Sequence, residues 1–156
     1  RRGTVMLRTE LNEALKKSMK AKETRTVSTV RLILAALKDR DIAARGKGNH
    51  EGIDDAEVLA MLQSMVKQRH ETKEICEKGG RLEFAEQEAE EIAVIERFLP
   101  EPLGEEATLE AVGAVMQELG AESLKDTGRT MAALRERYAG RMDFAKASAT
   151  VKERLG

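Results

Sequence analysis

Apolar residues recur every three or four positions along most of the chain, which is the spacing of an amphipathic α-helix. No segment shows the period-two alternation of a half-buried strand, so the sequence predicts an all-α fold. The long predicted helices span about residues 4–22, 26–45, 55–78 and 82–99. Their predicted inward residues are Leu7, Leu11, Leu15 and Met19, then Val27, Val30, Ile33, Leu34 and Leu37, then Val58, Met61, Leu62, Met65 and Ile75, and finally Ala85, Ala89, Ile92, Ile95 and Leu99.

The third predicted helix has the clearest start signal. Asp54 is followed three residues later by Glu57, a spacing that predicts a capping box. Ile53, just before the cap, is placed to pack on Val58 as a hydrophobic staple. A helix that runs from this cap to Gly79 is roughly 36 Å long, so we expect the second, third and fourth helices to form an elongated antiparallel bundle.

Pro100 and Pro102 are the only prolines, and they divide the chain. Proline lacks a backbone N–H and disfavours the helical conformation in the residue before it, so the fourth helix must end near Leu99. We predict an N-terminal helical domain over residues 1–99, a Pro-x-Pro hinge over 100–103 and a small three-helix C-terminal domain over 104–156. The predicted caps and stops of the three short helices are Gly120, Asp126, Gly140 and Asp143.

Composition narrows the class of protein. Aromatic residues make up only 3% of the chain, so the core must be aliphatic and rich in Met. Cys76 is the single cysteine, which excludes an internal disulfide and fits a reducing compartment. No apolar run approaches the roughly 20 residues of a membrane span. We therefore expect a soluble cytoplasmic protein, with Met6 as its natural start and residues 1–5 as an addition.

Charge is segregated along the chain, although the net charge is only −1. Lys and Arg outnumber Asp and Glu by 13 to 5 in residues 1–47 and by 8 to 4 in residues 123–156, whereas residues 71–110 contain 4 against 13. One interpretation is a cationic surface for a phosphate backbone, with the acidic region turned away. The other is that the acidic fourth helix pairs with the two basic N-terminal helices.

No group of residues has the spacing of a catalytic or metal site. His70 and Glu74 lie one helical turn apart, but a metal site needs three or four ligands at matched spacing. Cys76 has no second cysteine and is expected to be a half-buried apolar residue. Gly46 and Gly48 do not match a phosphate-binding loop and follow no strand. We predict no catalytic residue, no metal and no cofactor.

Two basic segments are candidates for anion binding. Lys67 and Arg69 flank a glutamine on the third helix, where they could bind phosphate or pair with nearby acidic residues such as Glu71 and Glu74. In the C-terminal domain, a glycine in the first turn of a helix would let another backbone approach, and basic residues flank two helix starts. The alternative there is that this glycine serves only helix packing. The residues of this second candidate are Lys125, Gly128, Arg129 and Arg141.

Four motifs in order resemble the GatB/YqeY family. They are Val30-Arg31-Leu32-Ile33-Leu34-Ala35-Ala36-Leu37, Val66-Lys67-Gln68-Arg69-x-Glu71, Phe98-Leu99-Pro100-x-x-Leu103 and Lys125-Asp126-x-Gly128-Arg129-x-Met131. The resemblance covers about residues 6–155 and implies an all-helical fold in two parts with a compact three-helix C-terminal part. It also implies similarity to the tail of the B subunit of glutamine-dependent tRNA amidotransferase, where that tail helps to hold tRNA.

We therefore expect a non-catalytic tRNA-binding or tRNA-amidotransferase-related accessory module. Its partners would be tRNA or a tRNA-modifying or aminoacylating enzyme, with no DNA and no membrane. The first alternative is a helical protein–protein adaptor that uses the Met-rich face of the third helix, or the fifth helix, as its docking surface. A further alternative is a component of glutamine-dependent amide transfer, a carbon–nitrogen ligase activity that the resemblance alone implies.

Overall fold

The computed structural model describes residues 4–156, with side chains from Leu7 onward, and these residues form helices joined by short turns. The predicted all-α class is confirmed, because no strand occurs in the described part of the chain. A 3-10 turn at Leu124–Asp126 precedes the sixth helix. The α-helices are α1 (Thr4–Lys20), α2 (Thr24–Gly46), α3 (Asp55–Lys78), α4 (Leu82–Glu96), α5 (Glu105–Leu119), α6 (Thr127–Arg137) and α7 (Phe144–Leu155).

The contacts divide the chain into two compact units between Pro100 and Glu101. Each unit buries its own aliphatic core. The core of the first unit contains Leu7, Leu11, Ile33, Leu37, Ile53, Val58, Met61, Leu62, Met65 and Ile95. The core of the second unit contains Ala111, Val112, Val115, Met131, Leu134, Met142, Ala147, Val151 and Leu155.

The start of α3 is the predicted capping box. The Asp54 carboxylate accepts a hydrogen bond from the Glu57 amide at 2.9 Å, and the Glu57 carboxylate accepts one from the Asp54 amide at 3.4 Å. Ile53 and Val58 are both buried in the first core. In the second unit, Asp143 caps α7 as predicted, because its carboxylate accepts hydrogen bonds from two amides in the first turn.

The fourth helix ends at Glu96, three residues earlier than predicted. The amides of Arg97, Phe98 and Leu99 instead bond to the carbonyl three residues back, at 3.0–3.2 Å. This tighter turn packs Phe98 and Leu99 against the first core. The difference is explained by Pro100, which disfavours the helical conformation in the residue before it.

Two residues that the pattern placed inward are exposed. Met19 is 50% exposed. Each step of four residues turns the side-chain direction about 40° beyond a full circle, so the three steps from Leu7 to Met19 move Met19 well off the face that Leu7 occupies. Ser18 is buried in its place. Ile75 is 71% exposed, because α3 extends beyond the core that its first half helps to form.

A polar junction ties α1, α2 and the loop before α3 together. The Arg8 guanidinium donates to both carboxylate oxygens of Asp41, at 2.6 and 2.8 Å, and to the Ile53 carbonyl at 2.9 Å. The Ile53 amide donates to Asp41 Oδ1 at 3.0 Å. The hydrogen bond from Arg8 lowers the pKa of the Asp41 carboxyl below its usual value. Gly52 sits against this junction with φ +91°.

We expect Gly52→Ala to destabilise the first unit by about 2–4 kcal/mol. Its Cβ would lie 2.7 Å from both Arg8 Nη2 and Asp41 Oδ1, so the junction would have to open in addition to the backbone strain of a positive φ. Gly48→Ala is the matched control, because Gly48 has φ +94° but open space around it. Denaturant unfolding of both variants measures the difference. Equal losses of unfolding free energy would contradict the contribution of the junction.

Candidate nucleic-acid interface

The start of α6 is shaped by the turn that precedes it. The Asp126 carboxylate accepts hydrogen bonds from the backbone amides of Glu122 at 2.8 Å and Ser123 at 3.2 Å. Asp126 was predicted to cap α6, but its side chain makes no capping bond to that helix and points back to close the turn. A single-residue cap signal does not distinguish these two roles, because both use the same carboxylate and neighbouring amides.

The Asp126 carboxylate stays ionised well below neutral pH. The hydrogen bond from the Glu122 amide, then the side chain of Arg129 and then the Ser123 amide, lower the pKa of Asp126 to about 2. Arg129 Nε lies 2.9 Å from Asp126 Oδ1. This pair leaves 48% of the Arg129 side chain exposed, so its guanidinium still faces solvent.

The start of α6 brings together three of the predicted site residues. Lys125, Gly128 and Arg129 are all exposed within two turns of chain. A Cβ added at Gly128 would meet no atom within 4 Å, so helix packing within the chain does not require glycine at this position. An open first turn with two cations beside it can accept an anion close to the backbone.

Arg141 occupies a different place from these three residues. It lies half-buried in the turn between α6 and α7, and its Nε donates to the Glu101 carbonyl at 2.9 Å. Its own carbonyl accepts a hydrogen bond from the Leu103 amide at 2.8 Å. Arg141 therefore fastens the segment after Pro100 to the second unit, a role that the sequence did not reveal.

The candidate pair on α3 is divided between surface and interior. Lys67 is exposed, whereas Arg69 is buried to 15% exposure and its Nε lies 2.9 Å from Glu91 Oε1 on α4. Gln87 also donates to Glu91, at 3.3 Å. The sequence suggested Glu71 and Glu74 as partners of Arg69, but the observed partner is Glu91, which lies 22 residues away across the α3–α4 hairpin.

The remaining candidate groups do not come together. Glu74 pairs with Lys78 at 3.0 Å on the same helix, and His70 is exposed. Cys76 is half-buried, as predicted. Within the described residues, no group of three or more His, Cys, Asp or Glu side chains is placed to hold a metal ion. None of the helices described has both the length and the apolar character of a transmembrane segment.

Comparison with known proteins decides the family. Residues 8–155 match the family model described as Yqey-like protein. The chain belongs to this YqeY-like family. The match covers all four motifs of the resemblance and both compact units.

Two fungal proteins are similar to the chain. The first, from Lachancea thermotolerans, is named altered inheritance of mitochondria protein 41, mitochondrial, and is 31% identical over 111 residues, which are 70% of this chain and 57% of that protein. The second, uncharacterized protein C22F3.15 from Schizosaccharomyces pombe, is 30% identical over 95 residues, 61% of this chain and 73% of that protein. The chain thus spans just over half the length of the first relative.

We expect the Asp126 carboxyl of this YqeY-like protein to titrate with a pKa of about 2. In Arg129→Ala the pKa should rise but stay below 3.8, because the bonds from the Glu122 and Ser123 amides remain. Side-chain carboxyl NMR over an acid pH series measures both values. An Asp126 pKa at or above 3.8 in Arg129→Ala would contradict the assignment of the Glu122 amide as the largest cause.

Proposed function

We propose that this YqeY-like protein is a non-catalytic accessory module that binds tRNA through the start of α6. The observation that carries the proposal is the exposed, open first turn of that helix, with Lys125 and Arg129 beside Gly128. The helix dipole places partial positive charge at a helix start, which favours phosphate. The Thr127 amide is already bonded to the Leu124 carbonyl, so the exposed Lys125 and Arg129 supply most of the attraction. The excess of Lys and Arg is local to residues 123–156, because the whole second unit has 8 Lys and Arg against 10 Asp and Glu.

The ligand of this site would be a folded RNA backbone. Only 3% of the residues are aromatic, so base stacking on aromatic side chains, the common way to hold single strands, has little support here. Recognition by shape and phosphate contacts needs Lys, Arg and close backbone approach, which are the features of the α6 start. The negative charge of the ionised Asp126 carboxylate repels phosphate, and the ion pair with Arg129 offsets part of this negative charge.

The other candidate residues have smaller parts in this proposal. Arg141 positions the segment after Pro100 and leaves part of its side chain near the α6–α7 turn for a phosphate. Lys67 is an exposed cation that could add a second contact from the first unit. Arg69 is held by Glu91, so we assign it the least weight among the predicted RNA contacts.

The hinge and the cellular location are also proposals. We expect residues 100–103 to act as a hinge between an elongated bundle and a small three-helix domain. Because Glu101 and Leu103 are bonded to Arg141, the flexible point would lie before Glu101. A role with tRNA fits the cytoplasm, and the mitochondrial name of one relative makes the mitochondrion the alternative location.

A protein–protein adaptor is the second candidate function. Its docking surface would differ from the Met-rich face of α3 that the sequence suggested. Met61 and Met65 are buried in the first core, so the Met-rich face of α3 is not available to a partner. Leu109 on α5 is 40% exposed. The adaptor hypothesis is favoured instead by the strongly exposed apolar residues of the α3–α4 hairpin. A role in glutamine-dependent amide transfer has only the family resemblance behind it.

We expect bulk tRNA to bind with an affinity that falls steeply with salt, and Lys125→Glu with Arg129→Glu to weaken it about tenfold or more. Loss of two phosphate contacts should also reduce the slope of log affinity against log salt by about 1.5. Lys16→Glu with Lys20→Glu is the control of equal charge change, since both lysines are exposed on α1. Equal weakening by both double variants, or salt-independent binding, would retire the proposal.

Gly128→Ala should separate binding from stability. The added methyl group meets open space and improves helix propensity, so the variant should be as stable as the parent or more stable by up to about 1 kcal/mol. If an RNA backbone approaches Gly128, the same methyl group should weaken tRNA binding several-fold. Thermal unfolding and tRNA titration of one preparation measure both effects. Unchanged tRNA affinity would show that no backbone approaches this glycine.

A further inference from the structure

The end of the α3–α4 hairpin exposes three large apolar side chains. Ile75 is 71% exposed, Leu82 67% and Phe84 48%, and all three lie within five residues of the Gly79–Gly80 turn. We call these three residues the hairpin tip. The buried residues of α3 end at Met65, so the tip lies beyond the part of the hairpin that the first core covers.

Acidic side chains surround the hairpin tip. From Glu71 to Glu91 the chain has 8 Asp and Glu against 3 Lys and Arg. Two of the three cations are already paired on their own helix, Lys73 with Glu77 at 3.6 Å and Lys78 with Glu74 at 3.0 Å. Near the tip the exposed carboxylates of Glu71, Glu83 and Glu86 remain, against one further exposed cation, Arg81.

Desolvation already raises a carboxyl pKa on this hairpin. Burial first, and then the charge of Glu91, raise the pKa of the Glu88 carboxyl above its usual value. Arg69 lowers it by a smaller amount. Burial is thus the larger cause of this shift, and the neighbouring Glu91 carboxylate adds a smaller contribution.

This charge decides which class of partner the hairpin tip fits. A nucleic acid or an anionic membrane would be repelled by the carboxylates, and a second copy docked tip to tip would bring two acidic hairpins together. Leu82 and Phe84 are two residues apart on α4 and therefore project from different sides of that helix. A partner that wraps the end of the hairpin, with apolar residues among Lys and Arg, would cover the exposed side chains and meet opposite charge at the rim. We propose that the hairpin tip docks a basic amphipathic segment of another protein, at a surface separate from the α6 start.

The test uses a short synthetic helical peptide with Leu on one face and Lys on the other, labelled with a fluorophore, and the full chain. Fluorescence anisotropy should show binding that weakens about tenfold or more in Ile75→Ser with Leu82→Ser and Phe84→Ser, one or two apolar anchors being enough for such a loss. Glu83→Gln with Glu86→Gln should weaken binding several-fold at low salt and less at high salt. Because all five positions are exposed, circular dichroism should show unchanged folding.

A matched variant and two altered peptides test whether binding needs the hairpin tip. Leu32→Ser with Ile42→Ser removes two comparably exposed apolar residues of α2 and should leave peptide affinity unchanged. A peptide with Glu in place of Lys, and a basic peptide of the same composition without an apolar face, should both bind far more weakly. Equal binding of either peptide, or equal loss in the α2 variant, would overturn the proposal.

Two measurements keep this inference distinct from the proposed RNA function. The three-site serine variant should keep its tRNA affinity. Sedimentation velocity should show the same mass for the parent chain and the serine variant. Self-association that the serine changes abolish would identify a second copy as the occupant and sink the assignment of a basic partner.

Discussion

The supply of aliphatic side chains is the constraint on which the rest of the structure depends. Only 3% of the residues are aromatic and 35% are charged, so each compact unit closes around a small core of Leu, Ile, Val, Met and Ala. The residues that α3 contributes to the first core all lie in the first half of that helix. Beyond it, the half-buried Arg69 pairs with the buried Glu91 between the two arms of the α3–α4 hairpin, where Ala85 and Ile92 of α4 are also buried. Removing one member of such a pair would leave an uncompensated charge.

Outside the two apolar cores, polar side chains join the segments of the chain through hydrogen bonds and ion pairs. Arg8 and Asp41 join three segments at one end of the first unit, and Arg69 with Glu91 joins two helices further along. The same device appears at the start of α6, where the Asp126 carboxylate gathers two amides and Arg129. Each junction fixes the backbone and also sets which charges still face solvent. The surfaces left for partners are therefore by-products of how the fold is held together.

Local signals predicted much of the fold, and contacts between distant residues did not follow from them. The Asp54 capping box and the Asp143 cap depend on neighbours within four residues, and both were predicted. The end of α4 lies three residues before the predicted Leu99, and Asp126 does not cap α6 through its side chain. Ile75 was misplaced because periodicity does not reveal where the core ends, and Met19 because a four-residue spacing rotates away from the buried face over three steps. In the candidate site, exposure of a glycine and two cations near α6 was expected from local helix-start chemistry. The pairing of Arg69 with Glu91 was not expected. Several acidic residues lie along α4, and the sequence does not show which of them faces Arg69.

The contacts of Arg141 bear on how the two units can be separated in the laboratory. Its side chain and its carbonyl hold Glu101 and Leu103, so these residues belong with α6 and α7 rather than with α4. Trimming the protein at Gly104, where α5 is capped, would discard both hydrogen bonds. A gene fragment that encodes the second unit by itself should therefore start at the codon for Glu101, with Pro102 kept in place.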